Sequence, residues 1–102
     1  MAAAPASMTA GQNLMVGGGV DEIATIMTLQ ITALSGATVK VQGSMNGGTT
    51  KVDLQMMPWG SSTGVSSATA TGGFRCDVAG IPKVYLDCAA GTATIYYRFV
   101  NG

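Results

Sequence analysis

Charged residues are scarce in this sequence, and histidine is missing altogether. Only 10% of the 102 residues are charged, five bases against five acids, whereas an ordinary soluble domain carries about 25%. A neutral chain with so few charges is weakly protected against association. This composition fits a stable but adhesive monomer or a protein whose surface is covered by other copies and partners. We expect the second.

The missing histidine narrows the chemistry that we expect. Two cysteines provide too few ligands for a zinc site, and a nucleophilic cysteine would lack its usual base. Three of the four aspartates, Asp53, Asp77 and Asp87, come from separate predicted strands and are expected to lie on solvated strand faces rather than to form a metal site or an acid pair. We therefore expect no enzyme, no cofactor and no metal.

Other absences exclude whole classes of partner. The five bases are scattered, so no basic stripe is present to bind a nucleic-acid backbone. No apolar run approaches the roughly 18 residues that a membrane-spanning helix needs. The first residues, MAAAPASMTAGQNLM, lack the basic and apolar regions of a signal peptide, so cytosolic synthesis with reduced cysteines is expected. We expect binding neither to nucleic acid nor to a membrane.

From residue 23 onward the sequence alternates with the period of two that is typical of β-strands. IMTLQITAL, ATVKVQGS, TKVDLQM, FRCDV, KVYLDCA and TATIYYRFV each place apolar residues on one face, GVSSATATGG is a weaker strand, and NGG at 46–48 predicts a hairpin-type turn. Short strands between turn signals predict an all-β fold. We expect an antiparallel β-sandwich, jelly-roll-like, of about seven to eight strands with an extended N-terminal arm.

Residues 1–22 differ from the remainder in composition. They are rich in Ala and Gly and have no sustained period, so they predict an extended arm ahead of a sandwich domain at 23–102. The arm would pack either on its own domain or on a neighbouring subunit.

Both cysteines lie in FRCDVAGIPKVYLDC, which we interpret as two strands and a turn. As a hairpin centred on Ile81, it places Cys76 and Cys88 as diagonal neighbours on one apolar face, too far apart for a disulfide. If the two strands belong to opposite sheets, the cysteines could instead meet across the core. We expect two small buried hydrophobic residues.

Two stretches carry a resemblance to a known group of proteins. LSGATVKVQGSMNGGTTKVDL and GFRCDVAGIPKVYLDCAAGTATIYYRFV resemble a β-sandwich domain that recurs in tailed-phage virion proteins. The match lies at Val41 to Gly47, Gly73 to Leu86 and Gly91 to Ile95, within a region from Leu34 to Val100. It departs from the pattern in lacking an aromatic residue after the turn, in GGTTKV, and in having the two cysteines.

The resemblance implies a structural protein of a phage virion, which we expect on the surface of the head, made in the bacterial cytoplasm. We expect a capsid decoration or cement protein that binds the major capsid protein and other copies of itself. The alternatives are a receptor- or glycan-binding head or tail fibre component and a head–tail connector component. The resemblance carries no catalytic residues.

The expected contact residues come from three places in the sequence. QMMPWGSSTG holds the single tryptophan at a strand end, where it would be an interface anchor, a sugar-stacking platform or a cap on the core. Tyr85 and Tyr96, expected to face outward beside Arg98 on the last strands, indicate a patch that a partner covers, or ordinary cross-strand pairing. The candidate interface residues are Met8, Leu14 and Met15 in the arm, Met57, Pro58 and Trp59 at the strand end, and Tyr96 and Arg98 in the last strand.

Overall fold

The computed structural model describes residues 4–18 and 25–100, and these ranges form strands joined by turns and loops. The strands are β1 (Ala4–Thr9), β2 (Gln12–Gly18), β3 (Ile26–Ser35), β4 (Thr38–Ser44), β5 (Val52–Asp53), β6 (Met56–Pro58), β7 (Gly72–Asp77), β8 (Lys83–Ala89) and β9 (Thr92–Val100). No helix that could span a membrane occurs in the described ranges.

The strands form two antiparallel sheets packed face to face. The five-stranded sheet has the order β1-β9-β3-β7-β6, and the four-stranded sheet has the order β2-β8-β4-β5. Most connections carry the chain from one sheet to the other, as in a jelly roll, with β6 added at one edge. The predicted all-β antiparallel sandwich is confirmed. The described ranges contain nine strands rather than seven to eight because residues before 23 contribute two.

One apolar layer between the sheets forms the core. Inward side chains of the strands alternate with outward ones, and the fully buried residues come from both sheets. The alternation predicted most of this layer, including Met27, Leu29, Val39 and Val41. Ala33 is an exception, since the pairing of β3 with β9 shifts between Ile31 and Ala33 and leaves Ala33 exposed.

The segment expected to be an arm is built into the sandwich. Strand β1 pairs with β9 in one sheet, and β2 pairs with β8 in the other, so residues 4–18 form the edge strands on one side of the molecule. Gly11, with φ of 77°, lies in the turn between them. Of the two alternatives for this segment, its described part packs on its own domain. The expected boundary at residues 22 and 23 lies outside the described residues.

The predicted hairpin at FRCDVAGIPKVYLDC is wrong. Strand β7 pairs with β3 and β6, whereas β8 pairs with β2 and β4, so the turn between β7 and β8 joins the two sheets. The alternation predicts the same inward residues whether the two strands pair as a hairpin or lie in opposite sheets, so it cannot distinguish these arrangements. Cys76 and Cys88 are both buried and free, as two small hydrophobic residues.

TKVDLQM does not form the single strand that its alternation predicts. Val52 pairs with Gly43 in the four-stranded sheet, but Met56 pairs with Cys76 in the five-stranded sheet, so the chain changes sheets between them. Val52 is exposed as a result. The weaker strand predicted at GVSSATATGG is reduced to two isolated bridges, through Val65 and Ala68.

The turn predicted at NGG is present in the loop between β4 and β5. The Ser44 hydroxyl donates to Asn46 Oδ1 at 2.9 Å and accepts from the backbone N–H of Gly48 at 2.9 Å. Asn46 Oδ1 also accepts from the N–H of Thr50. Gly47 and Gly48 both have positive φ, which explains the two glycines.

We expect both thiols to be unreactive in the native protein. Each sulfur is buried in the core, and a thiol reagent attacks the exposed thiolate. Titration with a chromogenic disulfide reagent should give almost no reaction in buffer and two thiols per chain in denaturant. Rapid labelling of the native protein, or fewer than two thiols in denaturant without a reductant, would contradict this arrangement.

Burial of Cys76 should also make the fold sensitive to alkali. Burial, with a smaller effect of the neighbouring Asp77 charge, raises the pKa of Cys76 to about 11. In the unfolded chain the thiol has a pKa of about 8.5. The folded state therefore has its full stability with respect to this thiol below about pH 8.5. Above that pH the unfolded chain releases the thiol proton more readily, so the free energy of unfolding falls as the pH rises through about 11. The free energy of unfolding should fall more steeply over this interval than in Cys76→Ala. Parallel pH profiles would disprove the effect.

Candidate functional site

Four of the eight expected contact residues lie together on the outer face of the five-stranded sheet. They are Met57, Trp59, Tyr96 and Arg98, which come from β6, the turn after it, and β9. Trp59 is 51% exposed and Tyr96 is 40% exposed. We refer to this surface, together with Arg75, Thr28, Gln30 and Gly73, as the aromatic–arginine face.

The other four expected residues lie elsewhere. Met8 is only 1% exposed and belongs to the core, because it faces inward on β1. Leu14 packs against the core from β2, and Pro58 is half-buried opposite Phe74. Met15 is exposed, but on the outer face of the four-stranded sheet, where its sulfur lies 3.7 Å from Lys83 Nζ. These four residues do not contribute to one surface.

Trp59 lies flat on β7 because Gly73 has no side chain. A Cβ at Gly73 would lie 2.1 Å from the indole atoms Cδ2 and Cε3, so the six-membered ring occupies that space. The indole Nε1–H donates to the carbonyl oxygen of Phe74 at 3.2 Å, and the backbone N–H of Trp59 donates to that of Gly73 at 2.9 Å. The strand beneath it thus holds the tryptophan in place, and about half of the side chain is exposed to solvent.

Cross-strand register places two arginines in one row. Arg75 on β7 pairs with Thr28 on β3, and Thr28 pairs with Arg98 on β9. Met57 extends the row beyond Arg75. Strands in a sheet lie about 4.8 Å apart, so the Cα atoms of the arginines are about 10 Å apart.

The next row along the sheet holds the aromatic residues. Gly73, covered by Trp59, pairs with Gln30, and Gln30 pairs with Tyr96. The indole ring therefore lies over β7, two strands from the β9 strand that carries Tyr96. Sequence reasoning missed Arg75 and Gly73 as members of this surface. The signal was available in GGFR, where a glycine and an arginine occupy outward positions of one strand.

The opposite face of the molecule has a different character. Asn13 Nδ2 donates to Gln42 Oε1 and to Asp87 Oδ1, both at 3.0 Å, and Gln42 Nε2 donates to Asp53 Oδ1 at 2.8 Å. Lys40 Nζ lies 3.3 Å from the other oxygen of Asp53. The Gln42 hydrogen bond, with the help of Lys40, lowers the pKa of Asp53. Polar groups on this face thus satisfy one another.

Tyr85 was expected to face outward, but only 8% of it is exposed. Its side chain leaves the four-stranded sheet on the outer side, where the loop after β4 covers it. Lys51 Nζ lies 4.7 Å from the ring centroid, and a Cβ on Gly48 would meet the phenol oxygen. The same loop borders an apolar cavity of about 330 Å³, lined by Gly43, Ser44, Met45, Asn46, Thr50, Val52, Leu54 and Ile81.

The described residues contain neither a group of metal ligands nor an activated thiol. No group of three or more histidine, cysteine or acidic side chains that could hold a metal ion occurs within residues 4–18 and 25–100. Burial raises the pKa of both cysteines, which disfavours the reactive thiolate. The aromatic–arginine face has the composition of a protein-binding surface, since Trp, Tyr, Met and Arg are enriched at such contacts.

A substitution at Gly73 should reveal how tightly Trp59 is seated. Gly73→Ala forces the indole off the strand and should reduce the free energy of unfolding by about 1 to 3 kcal/mol, the usual cost of overpacking. Tryptophan emission should shift to longer wavelength. In a Trp59→Ala background the same change should be neutral or stabilising, because alanine is better tolerated in a strand than glycine. An equal cost in both backgrounds would refute the contact.

Comparison with known proteins gives a structural relationship alone. No protein-family model and no curated protein sequence matches the chain. The fold is similar to the crystal structure of SPBc2 prophage-derived protein YomS, with a TM-score of 0.66 over 94% of this chain and 92% of that chain. The two sequences are 19% identical. At that identity the likeness establishes a shared β-sandwich fold.

Proposed function

We propose that this protein is a structural component of a tailed-phage virion, a capsid decoration protein that binds the major capsid protein on the outer surface of the head. The observation that carries the proposal is the aromatic–arginine face, a flat surface with exposed Trp59 and Tyr96. The resemblance to tailed-phage virion domains and the structural similarity to a prophage-derived protein support the phage context.

The proposed mechanism is burial of this face against the assembled shell. A sheet face that presents a fixed tryptophan, a methionine and arginines has the residues that carry most of the binding energy at protein interfaces. A protein that binds the closed lattice but not dissociated subunits stabilises the lattice by mass action. The low charge of the chain agrees with extensive contact with other copies as well.

A glycan-binding fibre component is the second candidate. The exposed ring of Trp59 favours it, since a fixed aromatic face can stack on a sugar. The Trp59 ring lies two strands from Tyr96 on the outer face of a sheet. This arrangement favours the decoration protein, because carbohydrate and other small-ligand sites are usually concave with convergent polar groups. The apolar cavity beside Met45 and Val52 has few polar groups for a sugar.

Co-sedimentation with phage shells that lack the protein tests the proposal. Wild-type protein should bind saturably, at many copies per shell, and should raise the temperature at which the shells disrupt. Trp59→Ala should weaken binding at least about tenfold, as expected for loss of a central aromatic contact. The matched control is Met15→Ala, an apolar residue of similar exposure on the opposite face, which should bind like wild type.

Four outcomes, the last from a parallel sugar-binding assay, would speak against the proposal or its contact surface. Absence of wild-type binding would reject decoration, and a few copies per virion would favour a connector or a fibre. Weakening by Met15→Ala instead of Trp59→Ala would place the contact on the four-stranded sheet. Loss of sugar binding in Trp59→Ala, with shell binding intact, would favour the fibre.

A further inference from the structure

Arg75 and Arg98 are exposed charges on a surface that offers them little compensation. No carboxylate within residues 4–18 and 25–100 forms an ion pair with either guanidinium; the ion pair found in those ranges is Lys40–Asp53, on the other sheet. The other described charge facing outward from the strands of this sheet is Asp77, two residues beyond Arg75, and its Oδ1 accepts from the N–H of Ala79 at 3.1 Å.

Charged side chains on the two sheets thus have different surroundings. On the four-stranded sheet, Asp53 and Asp87 are held by amide groups and a lysine of the same face. On the five-stranded sheet, the arginines flank Thr28, whose hydroxyl donates to the Phe74 carbonyl at 3.4 Å. The aromatic–arginine face therefore presents two positive charges, on residues whose Cα atoms are about 10 Å apart, that a partner can neutralise.

We propose that the aromatic–arginine face binds an acidic protein surface, with carboxylates of the partner paired to Arg75 and Arg98 around an apolar contact at Trp59. The proposal rests on the proposed function, because it specifies the chemistry of the surface to which the protein docks. A guanidinium binds a carboxylate through two parallel hydrogen bonds, and such charge-assisted pairs give both strength and orientation.

A protein partner fits this surface better than a nucleic acid. A phosphate backbone is bound by several bases in a stripe, whereas this face has two arginines, with Asp77 at one end. Trp59 and Met57 contribute apolar area, which a partner with a complementary apolar patch would bury. The charges then select the partner and its orientation, and the aromatic contact contributes most of the affinity.

Charge-neutral variants with a matched control test the proposal on shells. Arg75→Gln/Arg98→Gln removes two charges from the proposed face, and Lys51→Gln/Lys83→Gln removes two from residues of the opposite side. The first should weaken binding to shells about tenfold or more, and the second should leave it nearly unchanged. Added salt should weaken wild-type binding more than binding of the arginine variant. Equal binding of the two variants would overturn the proposal while leaving the decoration function in place.

A second measurement keeps the proposal testable if shells do not bind. The single tryptophan lies on the face and reports its occupancy by fluorescence. Poly-L-glutamate should change the emission of wild type and of the lysine variant, but not that of the arginine variant. This response without shell binding would retain the acidic surface and reject the decoration function. No response in wild type, or a response to single-stranded DNA alone, would overturn the proposal.

Discussion

A single apolar layer shared by two sheets is the constraint on which the rest of the molecule depends. Each strand must turn alternate side chains toward that layer, and most connections cross from one sheet to the other. Tight turns allow the chain to pass from one sheet to the other. At Gly91, with φ of 57°, a Cβ would lie 2.0 Å from the carbonyl oxygen of Ser35, so two turns pack together without space for a side chain.

The side chains that face outward, away from this core, differ in character between the two sheets. On the four-stranded sheet, amides and opposite charges meet and satisfy one another, and Tyr85 is covered by a loop. On the five-stranded sheet, Trp59 is held down by Gly73, and two arginines flank a threonine. The polar groups of one face therefore pair with one another, whereas the arginines and aromatic rings of the other face are exposed. This asymmetry is the physical basis of the docking surface proposed for a phage shell.

The positions of the expected contact residues show what a strand pattern reveals and what it leaves hidden. Trp59 and Tyr96 were identified from a strand end and from an outward position, and both lie on the aromatic–arginine face. Met8 was taken for a contact residue because an Ala/Gly-rich segment has no clear period, yet β1 uses it as part of the core. Arg75 was not among the expected contact residues, since nothing in FRCDV indicates that its neighbours across the sheet are Thr28 and Met57.

The sequence by itself determined the all-β class, most of the inward positions, the burial of two free cysteines and the turn at Asn46 to Gly48, because a period of two and the conformational freedom of glycine are local properties. Only the tertiary structure decided that β7 and β8 lie in different sheets, that residues 4–18 complete both sheets, and that Arg98, Thr28 and Arg75 form one row. Alternation fixes which side of a strand is buried, but it carries no information about which strand lies beside it. That choice is made when strands far apart in the chain pair and close the common core.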